Sequence, residues 1–245
     1  MFKIIIIATL IFSIAPVSTA LAQTVILEQE NLLDTMNSSF GPNRKHFVQL
    51  TYGMNFLFGP EEDGAELKHF ASHSFQVGLR YKRKLSSTFA VGAEVHSMHS
   101  RYSIQQNEDK KVGTLRIHNT EFFNTTHIMM DVFFRINFDP GRGDFLGFFM
   151  DIGGGGGYLL SSGYQYRDKL PGGEIREVKY SKLPIFQNFS YHALARIGYT
   201  GFSVNFFYRF SDIFVDGEQQ RIESVERNVL PDLPRMGVGL ELAVP

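Results

Sequence analysis

Ser97 and His99 come nearest, by type and spacing, to residues of this 245-residue chain that could do hydrolytic chemistry. A serine acts as a nucleophile when a histidine accepts its proton and an acid orients that histidine. The two residues lie two apart in a segment that alternates apolar and polar side chains, so both point to one face of a strand. No acid is evident at that height on a neighbouring segment, so the pair is only an outside candidate for catalysis.

The glycine run at 153–157 is the most conspicuous motif. A phosphate-binding loop needs a following Gly-Lys-Ser/Thr and a helix, and the sequence after the run predicts neither. Within a strand, glycines allow sharp curvature or leave space for bulky neighbours, here Phe149 and Phe207. The run therefore favours a structural interpretation.

His69 and His73 have the spacing of two metal ligands on one helical turn. Because they lie where a loop passes into a strand, that spacing does not bring them to one face. We therefore expect neither a metal nor a cofactor in this protein. Arg142-Gly143-Asp144 spells a cell-adhesion tripeptide, but a tight polar turn accounts for it.

Eight segments alternate at period two and would position these residues. The predicted strands are 46–58, 73–84, 88–99, 126–138, 145–160, 189–199, 202–210 and 236–244. Their connections alternate in length: 85–87, 139–144 and 200–201 are short, whereas 59–72, 100–117, 161–188 and 211–235 are long. An even strand count with every long loop at one end is typical of outer-membrane barrels.

One face of the predicted strands is almost continuously apolar, and aromatic residues collect at both of its ends. Near the short turns these are Tyr81, Phe89, Phe138, Phe148, Tyr199 and Phe202. Near the long loops they are Phe56, Phe58, Phe75, Phe189, Tyr191, Tyr208 and Phe210. Two aromatic girdles around an aliphatic band indicate a surface in contact with lipid. A soluble lipocalin-like barrel is the alternative.

The opposite face mixes small residues with charges of both signs, which we expect to pair inside the barrel. The predicted ion network comprises Arg80, Glu94, Asp131, Arg135, Asp151, Arg196, Arg209 and Glu241. Asp131, His192, Gln76 and His96 are expected at a greater height than most of the others. An interior of eight strands holds side chains and little else, so we predict a plugged lumen without a diffusion pore.

The N-terminus predicts export. Lys3 precedes an apolar run, and Ala20-Leu21-Ala22 has the small-x-small pattern of a signal-peptidase site, so 1–22 is expected to be a cleaved signal peptide. Residues 23–45 are then a periplasmic lead-in and 46–245 the barrel domain. Removal of the leader changes the formal net charge from −1 to −2, which argues against nucleic acid as a partner.

Three segments resemble the small outer-membrane β-barrel proteins of Bacteroidota, of the broad "outer membrane protein beta-barrel" type. They are FFMDIGGGGGYLL at 148–160, FSVNFFYRFSDIF at 202–214 and LPRMGVGLELAV at 233–244. The resemblance implies an all-β, eight-stranded antiparallel up-and-down transmembrane β-barrel with short periplasmic turns and long extracellular loops. It implies localisation in the outer membrane of a Gram-negative bacterium and brings no activity with it.

Two hypotheses on function follow. The favoured one is a non-enzymatic barrel, in contact with outer-membrane lipid and lipopolysaccharide, that serves envelope integrity or docks an envelope protein partner. An accessory part in secretion or outer-membrane assembly is one form of it. The alternative is an enzyme of the outer leaflet that modifies lipid A, for which Ser97 and His99 are the candidates.

Overall fold

Antiparallel strands dominate this computed structural model, which describes residues 43–59, 64–114, 116–139, 146–215 and 231–244. They are β1 (His46–Phe58), β2 (His73–Lys84), β3 (Phe89–Ser103), β4 (Thr120–Asn137), β5 (Phe148–Lys169), β6 (Ile175–Ser181), β7 (Phe189–Tyr199), β8 (Phe202–Arg209) and β9 (Met236–Val244). A short 3-10 turn, His69–Ala71, precedes β2. Over these described ranges, no helix has the length and apolar character needed to cross a membrane. The predicted leader and most of the predicted lead-in lie outside the described residues.

Eight of the nine strands close into a ring. From β1 to β5 each strand pairs with the next one along the chain. The ring then passes from β5 directly to β7, continues to β8 and β9, and closes where β9 pairs with β1. The ring order is therefore β1-β2-β3-β4-β5-β7-β8-β9. Closure leaves no ring strand with an unpaired edge. β6 stands outside the ring, on the part of β5 beyond the β7 ladder.

Strands β1, β2, β7 and β9 have the bounds that alternation predicted. β3, β4 and β5 run further toward the long loops than predicted, and β6 forms within 161–188, which was predicted to be a loop. The all-β prediction and the ring of eight are confirmed, with the β5–β6 hairpin as an additional element.

A register shift in β5 explains why its second half was not predicted. His127 pairs with Leu159 and Thr126 with Ser161, so Leu160 has no partner on β4. One extra residue exchanges the two faces of a strand. Below it odd-numbered residues such as Phe149 face inward, whereas above it Tyr164 and Tyr166 are the buried ones.

The two faces of the ring are inverted relative to a water-soluble protein. Large apolar side chains are exposed around the outside, among them Val48, Met54, Leu79, Val95, Met130, Val132, Ile152, Ile197, Val204 and Leu240. Charged side chains fill the inside, and Glu94, Arg135 and Asp151 are 0% exposed. All the aromatics predicted near the short turns are exposed on the outside, as are those near the loops except Phe58 and Tyr208, which are partly buried.

The long connections pack together over one end of the ring. Buried apolar side chains of these connections and of the adjoining strand ends form a cluster that we call the cap: Leu57, Ala65, Leu67, Tyr102, Ile104, Val112, Phe123, Tyr164, Tyr166, Ile185, Phe186, Ile213, Phe214 and Leu233. Phe123 lies at its centre, with ring centroids 5.0 to 5.7 Å from those of Tyr164, Phe186 and Phe214. These loops therefore have an apolar core of their own.

Candidate functional site

Six charged side chains meet inside the ring and form what we call the ion network. They are Arg80 on β2, Glu94 on β3, Arg135 on β4, Asp151 on β5, Arg196 on β7 and Glu241 on β9. All six point inward because the alternation of their strands places them on the same face as the small residues. The network contains three guanidinium groups and three carboxylates, so its formal charge is zero.

Glu94 and Glu241 are bridged by two arginines. Arg80 NH2 lies 2.8 Å from Glu94 Oε2 and 2.6 Å from Glu241 Oε1. Arg196 lies 2.6 Å from the same oxygen of Glu94 and 3.3 Å from Glu241 Oε2. Thr51 donates a hydrogen bond to the other oxygen of Glu94 at 2.8 Å. Both carboxylates are thus held from several strands at once.

Arg135 and Asp151 form the bidentate pair of the network. Arg135 Nε and NH2 donate to the two oxygens of Asp151 at 2.6 and 2.8 Å. The guanidinium carbon lies 3.8 Å from the ring centroid of Phe149, a cation–π distance. Arg196 comes within 3.9 Å of Asp151 and joins this pair to the rest. Charges paired in this way cross-link the inner wall and fill its width.

Arg209 and Gln76 lie elsewhere than the sequence predicted. Arg209 NH2 contacts Asp232 at 3.2 Å and donates to the Leu233 carbonyl at 2.8 Å, so it anchors the β8–β9 connection instead of joining the network. Gln76, predicted with the higher group, donates to Glu241 Oε2 at 3.1 Å. Arg209 and Asp131 therefore lie outside the six-residue network, and Gln76 contacts it.

Asp131 lies beside two histidines. Its carboxylate is 3.3 Å from His192 Nε2 and 3.8 Å from His96 Nδ1. Glu94, His96 and Asp131 each present a possible ligand atom, and these atoms lie within 4.8 Å of one another. The three residues line or adjoin an interior cavity of about 50 Å³, which reaches toward Phe186 of the cap. A space of that size is enough for a few water molecules.

The glycine run makes room for side chains of β4. A Cβ on Gly153, Gly155 or Gly157 would come within 2.1 Å of atoms of β4, and the side chains that fold over these glycines belong to Phe133, Asp131 and Met129. Phe149 and Phe207, the expected neighbours, cover Gly198 and Gly237 instead. The structural interpretation is thus supported with a different set of partners.

Ser97 and His99 are both exposed on the outside of the ring. His99 Nδ1 hydrogen bonds to Thr126 Oγ1 at 2.9 Å, so a hydroxyl occupies the position that an orienting acid takes in a catalytic triad. Among the described residues, the hydrogen-bond partner of His99 is thus a hydroxyl and not a carboxylate.

A second hydrogen-bonded set lies among the loops and was not foreseen. His118 Nδ1 is 2.9 Å from Asp168 Oδ1, and His118 Nε2 is 2.6 Å from Thr114 Oγ1. An acid, a histidine and a hydroxyl are thus hydrogen bonded in the order found in a catalytic triad. Thr114 is only 4% exposed, however, so a substrate cannot reach its oxygen. The set instead ties the β3–β4 connection to β5; we call it the loop clamp.

Glu121 organises the same region. It accepts hydrogen bonds from Tyr164 Oη at 2.6 Å and from the Thr114 backbone at 3.1 Å, and it is paired with Lys110. Burial, reinforced by the negative charge of Glu121, raises the pKa of Tyr164 well above its usual 10.0. Sequence reasoning could not find these contacts because they join residues as far as 50 positions apart.

The chain was compared with protein-family models, curated proteins and solved structures. No protein-family model matches the sequence, and no curated protein matches it. Among solved structures, the chain is similar to Ail, the attachment invasion locus protein of Yersinia pestis, in complex with the heparin analogue sucrose octasulfate. The match covers 81% of this chain and 94% of that one, at 10% identity and a TM-score of 0.29. At these values the similarity supports no conclusion about what this chain does.

Proposed function

We propose that this chain is a non-enzymatic, integral outer-membrane β-barrel with a closed interior, which serves envelope integrity or docks an envelope partner through its cap. The observation that carries the proposal is the inversion of the ring's two faces. Water-soluble monomers rarely expose apolar patches of more than a few hundred Å². Here apolar residues surround the ring while the charges are buried, as a lipid environment requires.

The dimensions of the ring agree with a membrane. Strand β2 has 12 residues, which at about 3.3 Å per residue make about 40 Å. A tilt of about 40° reduces this to a height of about 30 Å, the thickness of a bilayer's hydrocarbon core. Because the ring is closed, its backbone groups need no partner from lipid.

The exterior aromatics and the leader supply an orientation. Exposed tyrosine and phenylalanine side chains at both ends of the ring suit the two membrane interfaces. The leader predicted at 1–22 supports export of the chain, as an outer-membrane location in a Gram-negative cell requires. In this orientation the short turns face the periplasm, the cap faces outward, and lipid and lipopolysaccharide surround the ring.

A substitution on the outer face distinguishes a membrane barrel from a soluble one. Val132 lies on the outward face of β4, five residues before the strand ends, and is 61% exposed. Val132→Arg should destabilise a membrane-embedded barrel by about 2–4 kcal/mol, the cost of arginine near the bilayer midplane. In water an exposed arginine at this position would be tolerated. Phe70→Arg, on the 3-10 turn and 90% exposed, is the matched control, with little effect expected.

Fractionation tests the location directly. The protein should sediment with the outer membrane, resist extraction by carbonate or urea, and migrate faster in SDS gels when unheated. Recovery in the soluble periplasmic fraction, together with a neutral Val132→Arg, would refute the proposal.

The closed interior is tested by conductance. Arg196 on β7 contacts Glu94 on β3 across the inside of the ring, and the cap lies at its loop end. Purified protein in planar bilayers should therefore give no steady channel. A large and stable conductance would show that the network and the cap leave an open path.

The absence of enzyme activity and the docking role need separate tests. Mass spectra of lipid A from cells with and without the protein should be the same; a new lipid A species would favour the alternative that rests on Ser97 and His99. Copurification in mild detergent, with the cap intact and with its 104–119 connection shortened, should retain a partner only in the first case.

A further inference from the structure

Two histidines and one aspartate converge beside the interior cavity from three different strands. His96 comes from β3, Asp131 from β4 and His192 from β7. Gly155 lies between Asp131 and His192 in the strand register and carries no side chain to separate them. A Cβ at Gly155 would lie 2.0 Å from Asp131 Oδ1, so the convergence depends on this glycine.

Two polar atoms of this group are buried without hydrogen-bond partners among the described residues. They are His96 Nδ1 and Asp131 Oδ1, in side chains that are 3% and 1% exposed. Leaving a buried donor or acceptor unsatisfied is costly, about 1–3 kcal/mol each and more for a charge. The pair distances of 3.3 and 3.8 Å are also too long or too poorly aligned to be hydrogen bonds.

The two distances run to different oxygens of the Asp131 carboxylate, Oδ1 for His192 and Oδ2 for His96, and both are close to the separation of two ligands of one ion. Nitrogen and oxygen ligands bind Zn²⁺ at about 2.0–2.2 Å, so two ligands of one tetrahedral ion lie about 3.4 Å apart. Glu94 is not needed as a ligand, since its oxygens already accept from Arg80, Arg196 and Thr51.

Charge balance points the same way. The ion network cancels its own charge, so the carboxylate of Asp131 is faced chiefly by two imidazoles. A buried carboxylate is unstable as an isolated charge and is stabilised by a proton, a cation or a metal. Imidazole and carboxylate together are the donor set of zinc and its neighbours in the first transition row.

We propose that His96, Asp131 and His192 bind a divalent transition-metal ion of the zinc class inside the barrel, with a fourth position open to the cavity. The metal would join β3, β4 and β7 at a height above the ion network. A water molecule in the cavity would complete the tetrahedral set.

The test uses the full mature barrel in a non-denaturing detergent. The protein is stripped with a chelator, reloaded with Zn²⁺ or Co²⁺, desalted and analysed for bound metal. We expect about one ion per chain, and for Co²⁺ the visible absorption of a tetrahedral site. His96→Gln, His192→Gln and Asp131→Asn should each lower the affinity by more than about tenfold.

His127→Gln is the matched control, because His127 lines the same cavity but is not one of the three proposed ligands. It should bind metal as the native protein does. Heat-modifiable mobility in SDS gels shows whether each variant has folded, so that loss of metal is not confused with loss of the barrel. Folded native protein that retains no metal, or folded Asp131→Asn that binds as tightly as the native chain, would overturn the proposal.

Discussion

Gly155 and Asp131 face each other across the β4–β5 ladder, and the aspartate carboxylate occupies the space where a side chain on residue 155 would be. Gly155→Ala should therefore force the carboxylate or the β5 backbone to move. We expect a loss of about 1–3 kcal/mol in the free energy of unfolding, the usual cost of overpacking. Gly156→Ala is the neighbouring control, because a Cβ there would meet nothing closer than the Ser190 carbonyl at 3.2 Å. Urea unfolding in detergent measures both, and equal effects would contradict this account.

Removing one partner of the Arg135–Asp151 pair should lower the free energy of unfolding much more than replacing both partners with apolar residues. Arg135→Met leaves a carboxylate buried without its bidentate partner, for which we expect a loss of about 3–5 kcal/mol. The double variant Arg135→Met/Asp151→Leu should recover a large part of that loss. On the exposed Arg167–Glu177 pair, Glu177→Gln should produce no measurable change, since solvent screens the interaction. A double variant no better than the single one would argue against the pair as an isolated unit.

The stability of the cap should fall at alkaline pH through Tyr164. Because burial raises the pKa of Tyr164 in the folded protein, the unfolded chain releases this proton first as the pH passes about 10. The stability that Tyr164 contributes is complete below that pH and is lost as the pH rises above it. The difference in unfolding free energy between the native protein and Tyr164→Phe should therefore narrow above pH 10. A difference that stays constant to pH 12 would show that the phenol is not protected in the folded state.

The loop clamp should protect the β3–β4 connection from proteolysis. His118→Asn removes the link between Asp168 and Thr114, and the ring of Tyr166, stacked 4.1 Å from that of His118, loses its neighbour. We expect faster tryptic cleavage after Lys110, Lys111 and Arg116, while the ring strands remain intact. His69→Asn, an exposed histidine on another connection, should leave the cleavage rate unchanged. Equal rates for native protein and His118→Asn would mean that packing in the cap alone holds the loop.

The ring could be predicted from sequence because each of its strands has a buried and an exposed face, which forces a strict alternation over its length. The inward direction of Arg80, Glu94 and Asp151 followed from that alternation. Their partners did not, because pairing depends on strand stagger. The register that opposes Arg135 to Asp151, and Asp151 to Arg196, appears only in the folded ring.

The β5–β6 hairpin, the cap and the loop clamp could not be predicted. At Leu160 the alternation of inward and outward side chains changes phase. If the earlier alternation continued, Tyr164 and Tyr166 would face outward, so the sequence pattern predicted that the strand ends at this point. The buried residues of the loops have no period of their own, since each is placed by a different connection. The convergence of His96 and His192 on Asp131 was foreseen only as a common height. That both histidines lie within 3.8 Å of the Asp131 carboxylate depends on Gly155, whose role no local pattern reveals.

The pairing of β9 with β1 also constrains the order in which this protein can fold. The last strand of the series is the hydrogen-bonding neighbour of the first, so no partial chain can close the ring. Until β9 is in place, the sheet has two open edges, at β1 and at β8, and each can template pairing with another molecule. Contacts between segments so distant in sequence also form slowly. Loss of β9 would therefore yield an aggregation-prone open sheet instead of a smaller barrel. The edges of β1 and β8 are protected from intermolecular pairing only when the whole chain has assembled.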